Sequence, residues 1–151
     1  MPETIALLGA GNMGTAVAQV LASNGHAVRA WSIETDVLEE IRDRRLNTKY
    51  VSGVKLHPDI EPVWDIENAV RGAGVIVLSV PSQIVARLAK DLAPLLTPNQ
   101  LILNVAKGLE SGTNRRLSEV ITDELHQRTR RSGLWADPQS PSKWPAACRR
   151  Q

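Results

Sequence analysis

Three glycines in Gly9-Ala10-Gly11-Asn12-Met13-Gly14 match the pattern G-x-G-x-x-G. Glycines so spaced serve one kind of chemistry. The first permits a tight turn, the second lets backbone approach a pyrophosphate, and the third lets a helix press onto a sheet. Alone the pattern is weak, because glycines are common in turns. It gains weight when a strand precedes it and a helix follows. Both are legible here. Thr4–Leu8 is a short apolar run that reads as a buried strand. From Asn12 to Ala22, Met13, Val17, Val20 and Leu21 recur at helical spacing, and Asn24-Gly25 stops the helix. The N–H groups that open such a helix lack intrahelical partners and favour an anion. The segment reads as a dinucleotide-phosphate site, against the plainer alternative of a strand–turn–helix.

Two charged residues extend this chemistry. Glu34 stands twenty residues after Gly14, at the tip of a second expected strand, Ala27–Ile33. A carboxylate there accepts hydrogen bonds from ribose hydroxyls and repels a 2′-phosphate, so NAD is expected over NADP. A solvated carboxylate at a helix start is the alternative, and Asp36 can share or take the role. Lys107 follows the apolar run Leu101–Val105, at the strand end where open α/β sheets bind ligands. An ammonium there can attract a phosphoester or polarise a carbonyl. Its alternative is a solvated loop lysine. His26 reads as a solvated turn residue and Trp31 as strand packing. No metal site is expected.

The elements that must hold these residues alternate. A second helix is expected over Asp36–Arg45, with Val37, Leu38 and Ile41 on one face. Residues 46–59 read as loop. Ile60–Trp64 reads as a short strand and Ile66–Val70 as one or two helical turns. Gly74–Val80 is the clearest strand, a continuous apolar run suited to a parallel strand covered on both faces. Pro81 ends it, and Ser82 can cap a helix to Leu92 with Ile84, Val85, Leu88 and Leu92 inward. Leu101–Val105 reads as another buried strand. Asn114–His126 reads as a helix with Leu117, Val120, Ile121 and Leu125 on one face. Strands alternating with helices predict an α/β layer fold on a parallel sheet.

Composition sets the outer bounds. The 151 residues suit one domain. At 42% hydrophobic and 23% charged, the chain has the composition of a globular protein. No apolar run is long enough for a membrane span, and the Met-Pro-Glu-Thr start lacks the marks of a signal peptide. A single cysteine, Cys148, leaves no internal disulfide framework, and a cytoplasmic setting is expected. The net charge of +2 is uneven: residues 127–151 hold six basic side chains and one acidic. Those charges are broken up by Pro and Trp, and no nucleic-acid partner is expected. Two units follow: a dinucleotide-binding domain over residues 1–127 and an irregular tail over 128–151.

Beyond the glycines, the segments GAGNMGTAVA, LASNGHAVRAW, NTKYVSGVKL, VIVLSVPSQ, NVAKGLE and LSEVITDEL occur in one order and register. With them the chain resembles the N-terminal part of NAD(P)-dependent glycerol-3-phosphate dehydrogenase over about residues 4–126. The resemblance implies a Rossmann-type parallel sheet of about five strands, helices on both faces, incomplete at one edge. It implies that Asn12 and Met13 touch the cofactor diphosphate. Ile33, Pro81 and Ile84 then lie along NAD or NADP, with Tyr50 nearby, and Lys107 reaches both nicotinamide and substrate. The implied reaction interconverts dihydroxyacetone phosphate and sn-glycerol 3-phosphate, a precursor of glycerophospholipids. The family's acid–base lysine lies in a C-terminal helical domain absent from this chain. No catalytic residue is therefore assigned here, and the chain alone is expected to turn over negligibly. A non-catalytic dinucleotide-binding module and an inactive truncated product are the competing readings. A homodimer is left open.

The tail departs from the resemblance. From Leu134 the family carries a Gly-Pro-containing strand and turn. Reading the back-translated chain from the third base of the Leu134 codon gives a sequence close to it. Residues from roughly Arg131 to Gln151 are therefore expected to be a frameshift product, against the alternative of a genuine short tail or divergent linker.

Overall fold

A computed structural model describes residues 1–132, with side chains through residue 125. The elements run β1 (Thr4–Leu8), α1 (Asn12–Ser23), β2 (Ala27–Trp31), α2 (Thr35–Arg44), β3 (Ile60–Val63) and α3 (Ile66–Val70). They continue with β4 (Val75–Leu78), α4 (Ser82–Leu92), β5 (Leu101–Asn104) and α5 (Leu117–Ser132). The five strands form one parallel sheet in the order β3-β2-β1-β4-β5. This is the expected Rossmann-type architecture.

Period-two alternation along buried strands feeds two cores. Ala6, Leu8, Ile76 and Leu78 meet α3, α4 and α5 on one face. Ile5, Leu7, Val28, Ala30 and Val77 meet α1 and α2 on the other. Each fully buried leucine or isoleucine contributes about 1.5–3 kcal/mol. The expected inward faces of α2 (Val37, Leu38, Ile41) and α5 (Leu117, Val120, Ile121) are buried.

Several expectations need correction. The buried face of α1 is Gly14, Thr15, Ala18 and Ala22, whereas Met13 and Val20 are 45% and 61% exposed. Small residues win the sheet-facing side because they let the helix axis approach closely. Ile84 is likewise exposed, its place in the α4 core taken by Ala89. The last helix starts at Leu117, not Asn114. Asn114 has φ of +56°, a left-handed conformation that asparagine tolerates better than most residues, and its N–H donates to the Glu110 carbonyl at 3.0 Å. Residues 110–116 are thus a tight loop, closed by a Leu109–Arg116 bridge. The helix then continues through 128–132, inside the segment read as irregular. Gln127, Arg128, Arg130 and Arg131 lack apolar periodicity, but Gln and Arg are good helix formers. The frameshift expectation for the rest of the tail falls on residues 133–151, outside the described range.

Strand β5 is not buried. Leu101 is 68% and Leu103 51% exposed, and only Ile102 packs against a core. A parallel strand is covered on both faces only when helices lie over both, and α1 and α2 cover the opposite half of that sheet face. Among the described residues the outer edge of β5 is unpaired. A groove of about 580 Å³ lies beside it, lined in part by Leu96, Ile102 and Ile121. Such an edge invites pairing between chains. Replacing Leu101 and Leu103 together by lysine is expected to shift sedimentation at high concentration toward monomer. The melting temperature should move by no more than about 2 °C, as for other exposed positions. Unchanged sedimentation would remove the edge as the cause of self-association.

Candidate functional site

Because the strands are parallel, their carboxyl ends share one side of the sheet. The order reverses beside β1, with β2 on one flank and β4 on the other. Open α/β sheets bind ligands in the crevice above such a reversal.

The glycine turn joins β1 to α1 at this point, and its three glycines have separable roles. Gly9 has φ of +108°, and a Cβ there would lie 2.3 Å from the Ser79 carbonyl oxygen. Its N–H donates to the Trp31 carbonyl at 2.8 Å, binding the turn to β2. A Cβ on Gly14 would lie 1.9 Å from the Gly9 oxygen and 3.1 Å from Ser79 Oγ. Around Gly11 no atom lies within 4 Å of that position. Gly9 and Gly14 are therefore required by the protein's own packing, and Gly11 leaves space open. No side chain caps α1 and its first turn holds no acidic residue. Its first N–H groups and the positive end of its dipole are left for an external anion. An open cradle beside an uncapped helix start fits a dinucleotide diphosphate at Gly11, Asn12 and Met13.

Glu34 sits where β2 ends and α2 begins, its N–H donating to Ser32 Oγ at 3.2 Å. Both carboxylate oxygens are engaged: Lys49 Nζ donates to Oε1 at 2.5 Å and the Tyr50 hydroxyl to Oε2 at 2.6 Å. The Lys49 bond, then the Tyr50 bond, holds the Glu34 carboxyl below the usual carboxylate range. The same contacts raise Lys49 and Tyr50, so at neutral pH the trio is carboxylate, ammonium and phenol. Asp36 lies further out, 3.4 Å from Lys49 Nζ.

The loop that brings Lys49 and Tyr50 here is anchored by Asn47, which is fully buried. Its amide Nδ2 donates to the Ala10 carbonyl and to Thr15 Oγ1, both at 2.8 Å. Thr48 adds bonds from its N–H and hydroxyl to Glu40 on α2, each at 2.8 Å. The loop that holds Glu34 and the glycine turn are thus joined through one amide. Asn47 and Lys49 were not singled out from sequence. Their only signal was proximity to Tyr50 in the Asn-Thr-Lys-Tyr segment.

Ile33, Pro81 and Ile84 are all exposed: Ile33 follows β2, Pro81 precedes α4 and Ile84 lies in its first turn. Together with the exposed Met13 they offer apolar surface at the carboxyl ends of the strands. Lys107 is exposed and, among the described residues, has no hydrogen-bond or ion-pair partner. The adjacent Gly108 has φ of +105°, and a Cβ there would lie 3.8 Å from Ser82 Oγ. The β5–α5 loop therefore passes close to the start of α4. His26 lies before β2, away from this edge, its Nδ1 accepting from the Glu3 N–H at 3.2 Å. Trp31 packs half-buried against a core.

The profile described as "NAD-dependent glycerol-3-phosphate dehydrogenase N-terminus" matches residues 4–135. The chain belongs to this family. Among the family's members, glycerol-3-phosphate dehydrogenase [NAD(P)+] of Moorella thermoacetica is 44% identical over 124 residues, 82% of this chain and 37% of that protein. The Pseudomonas aeruginosa (strain LESB58) enzyme is 38% identical over 121 residues, 80% of this chain and 35% of its own length. The crystal structure of glycerol-3-phosphate dehydrogenase from Coxiella burnetii superposes with a TM-score of 0.77 at 34% identity, covering 82% of this chain and 38% of that one. The chain thus spans a little over a third of the length of these relatives. It corresponds to the family's N-terminal, NAD-binding part, with NAD(P) as the cofactor class. No helix among the described residues is long and apolar enough to cross a membrane.

Proposed function

We propose that this chain is the cofactor-binding portion of an oxidoreductase interconverting dihydroxyacetone phosphate and sn-glycerol 3-phosphate with NAD(P)H. The observation that carries the reading is the open space at Gly11 above the uncapped start of α1, with Glu34 at the end of the neighbouring strand. Gly9 and Gly14 shape the cradle, and Gly11, Asn12 and Met13 hold the diphosphate. Glu34 takes the adenosine ribose hydroxyls, with Tyr50 orienting its carboxylate, and NAD is favoured over NADP. Ile33, Pro81 and Ile84 flank the cofactor and shed water from it. When bound, the cofactor supplies or accepts hydride. Lys107 draws the anionic phosphoester and polarises the carbonyl at the nicotinamide end. Reduction of a ketone also needs a general acid for the nascent alkoxide, a role we leave to residues outside this chain. The reading extends to glycerophospholipid precursor supply in the cytoplasm and to a homodimeric assembly.

Two measurements test it. NAD at about 100 times its dissociation constant is expected to stabilise the chain by about 2.7 kcal/mol, raising the melting temperature by roughly 5–10 °C. With dihydroxyacetone phosphate and NADH the isolated chain should turn over far below the ~10 per second of an ordinary enzyme. No thermal shift with NAD or NADP would refute the dinucleotide site. Ordinary turnover would refute the division of roles.

A further inference from the structure

Glu34 does not act as a bare carboxylate. Lys49 and Tyr50 each hold one of its oxygens, and only Lys49 carries charge. We infer that Lys49 is a specificity-determining residue whose ammonium neutralises Glu34 and offers a counter-charge to a phosphate on the adenosine 2′-position, so that this site admits NADP beside NAD. The inference rests on the dinucleotide reading above and concerns its ribose end.

An unpaired Glu34 would reject a 2′-phosphate by like-charge repulsion. With Lys49 at 2.5 Å the pair is close to neutral, and the repulsion left comes from Asp36, itself within 3.4 Å of the same ammonium. The Lys49 side chain is 47% exposed. An ammonium has three donors on a flexible stem, and two carboxylates do not exhaust them. It can turn toward an incoming phosphate while its backbone stays placed, because Asn47 and Thr48 tie the loop to the glycine turn and to α2. Tyr50 makes the arrangement two-sided. Its hydroxyl keeps Glu34 oriented when Lys49 leaves, so the ribose diol of NAD still finds its acceptor. Lys49 therefore matters to NADP and little to NAD.

The test is titration of the full chain with NAD and with NADP, for the unchanged protein, Lys49→Gln and Lys49→Arg. Lys49→Gln is expected to weaken NADP by about tenfold, the scale of one charge-assisted hydrogen bond, and to change NAD by less than about threefold. Lys49→Arg keeps the charge and should retain NADP binding. The NADP difference should shrink at high salt through screening, which a merely structural role would not produce. If Lys49→Gln weakens both cofactors equally, or neither, the role of Lys49 is overturned and the dinucleotide site stands. If the unchanged protein binds neither cofactor, the dinucleotide reading fails and this inference falls with it.

Discussion

Gly14→Ala is expected to lower the melting temperature by about 10 °C, for a loss of about 3 kcal/mol. The new methyl would stand 1.9 Å from the Gly9 carbonyl oxygen, less than any real Cβ contact. The atom in the way is backbone and cannot rotate aside. Either α1 moves off the sheet or the turn opens. Moving α1 strips cover from Ala18 and Ala22, which are buried because the helix lies close. Opening the turn breaks the 2.8 Å bond from the Gly9 N–H to Trp31 and unseats β1 from β2. Thermal unfolding followed by circular dichroism reads the effect. A melting temperature within about 2 °C of the parent would mean that the cradle is softer than its geometry indicates.

Gly11→Val should do the reverse. At φ −74° and ψ −168° the backbone is extended and accepts any residue, and a Cβ there meets nothing within 4 Å. The melting temperature should hold within about 2 °C. Affinity for NAD should fall on the order of 100-fold, because two methyl groups then fill the space needed by the diphosphate, an overlap of about 1–3 kcal/mol or more. Isothermal titration against the parent checks it. Undiminished NAD binding by a well-folded Gly11→Val protein would move the diphosphate elsewhere. The two variants form a pair: one glycine serves the fold, the other is proposed to serve the ligand, and both belong to one six-residue motif.

The parts legible in the sequence were those set by local pattern. The apolar runs of β1 and β4, the glycine motif between strand and helix, and the stop at Asn24-Gly25 each carry their cause within a few residues. What escaped depends on neighbours far along the chain. Apolarity marked Leu101 and Leu103 as buried, but burial requires a helix over that half of the sheet face. Hydrophobic spacing put Met13 and Val20 inward, although the closeness of α1 to the sheet rewards Ala18 and Ala22. The start of α5 was misplaced because Asn114 adopts a left-handed turn that no periodicity reveals. The Glu34–Lys49 pair spans fifteen residues, across α2 and into the loop that follows it, so neither partner announced the other. Asn47 was hidden for the same reason: its effect on the glycine turn lies 37 residues away from its own position.

The placement of β5 has a consequence for the order of events at the site. The glycine turn proposed to cradle the diphosphate is built on β1, which has a hydrogen-bonded strand on each side, so its geometry exists before any ligand arrives. Lys107 follows β5, which like β3 has, among the described residues, a neighbour on one side only. Solvent exchange and local opening therefore grade from the centre of the sheet to its margin. On the proposed reading the nucleotide meets a preformed seat, whereas the group proposed for the phosphoester follows an edge strand whose Leu101 and Leu103 are exposed. Such a gradient favours sequential loading, cofactor first, with the second ligand settling only after the nicotinamide end has given the margin something to pack against.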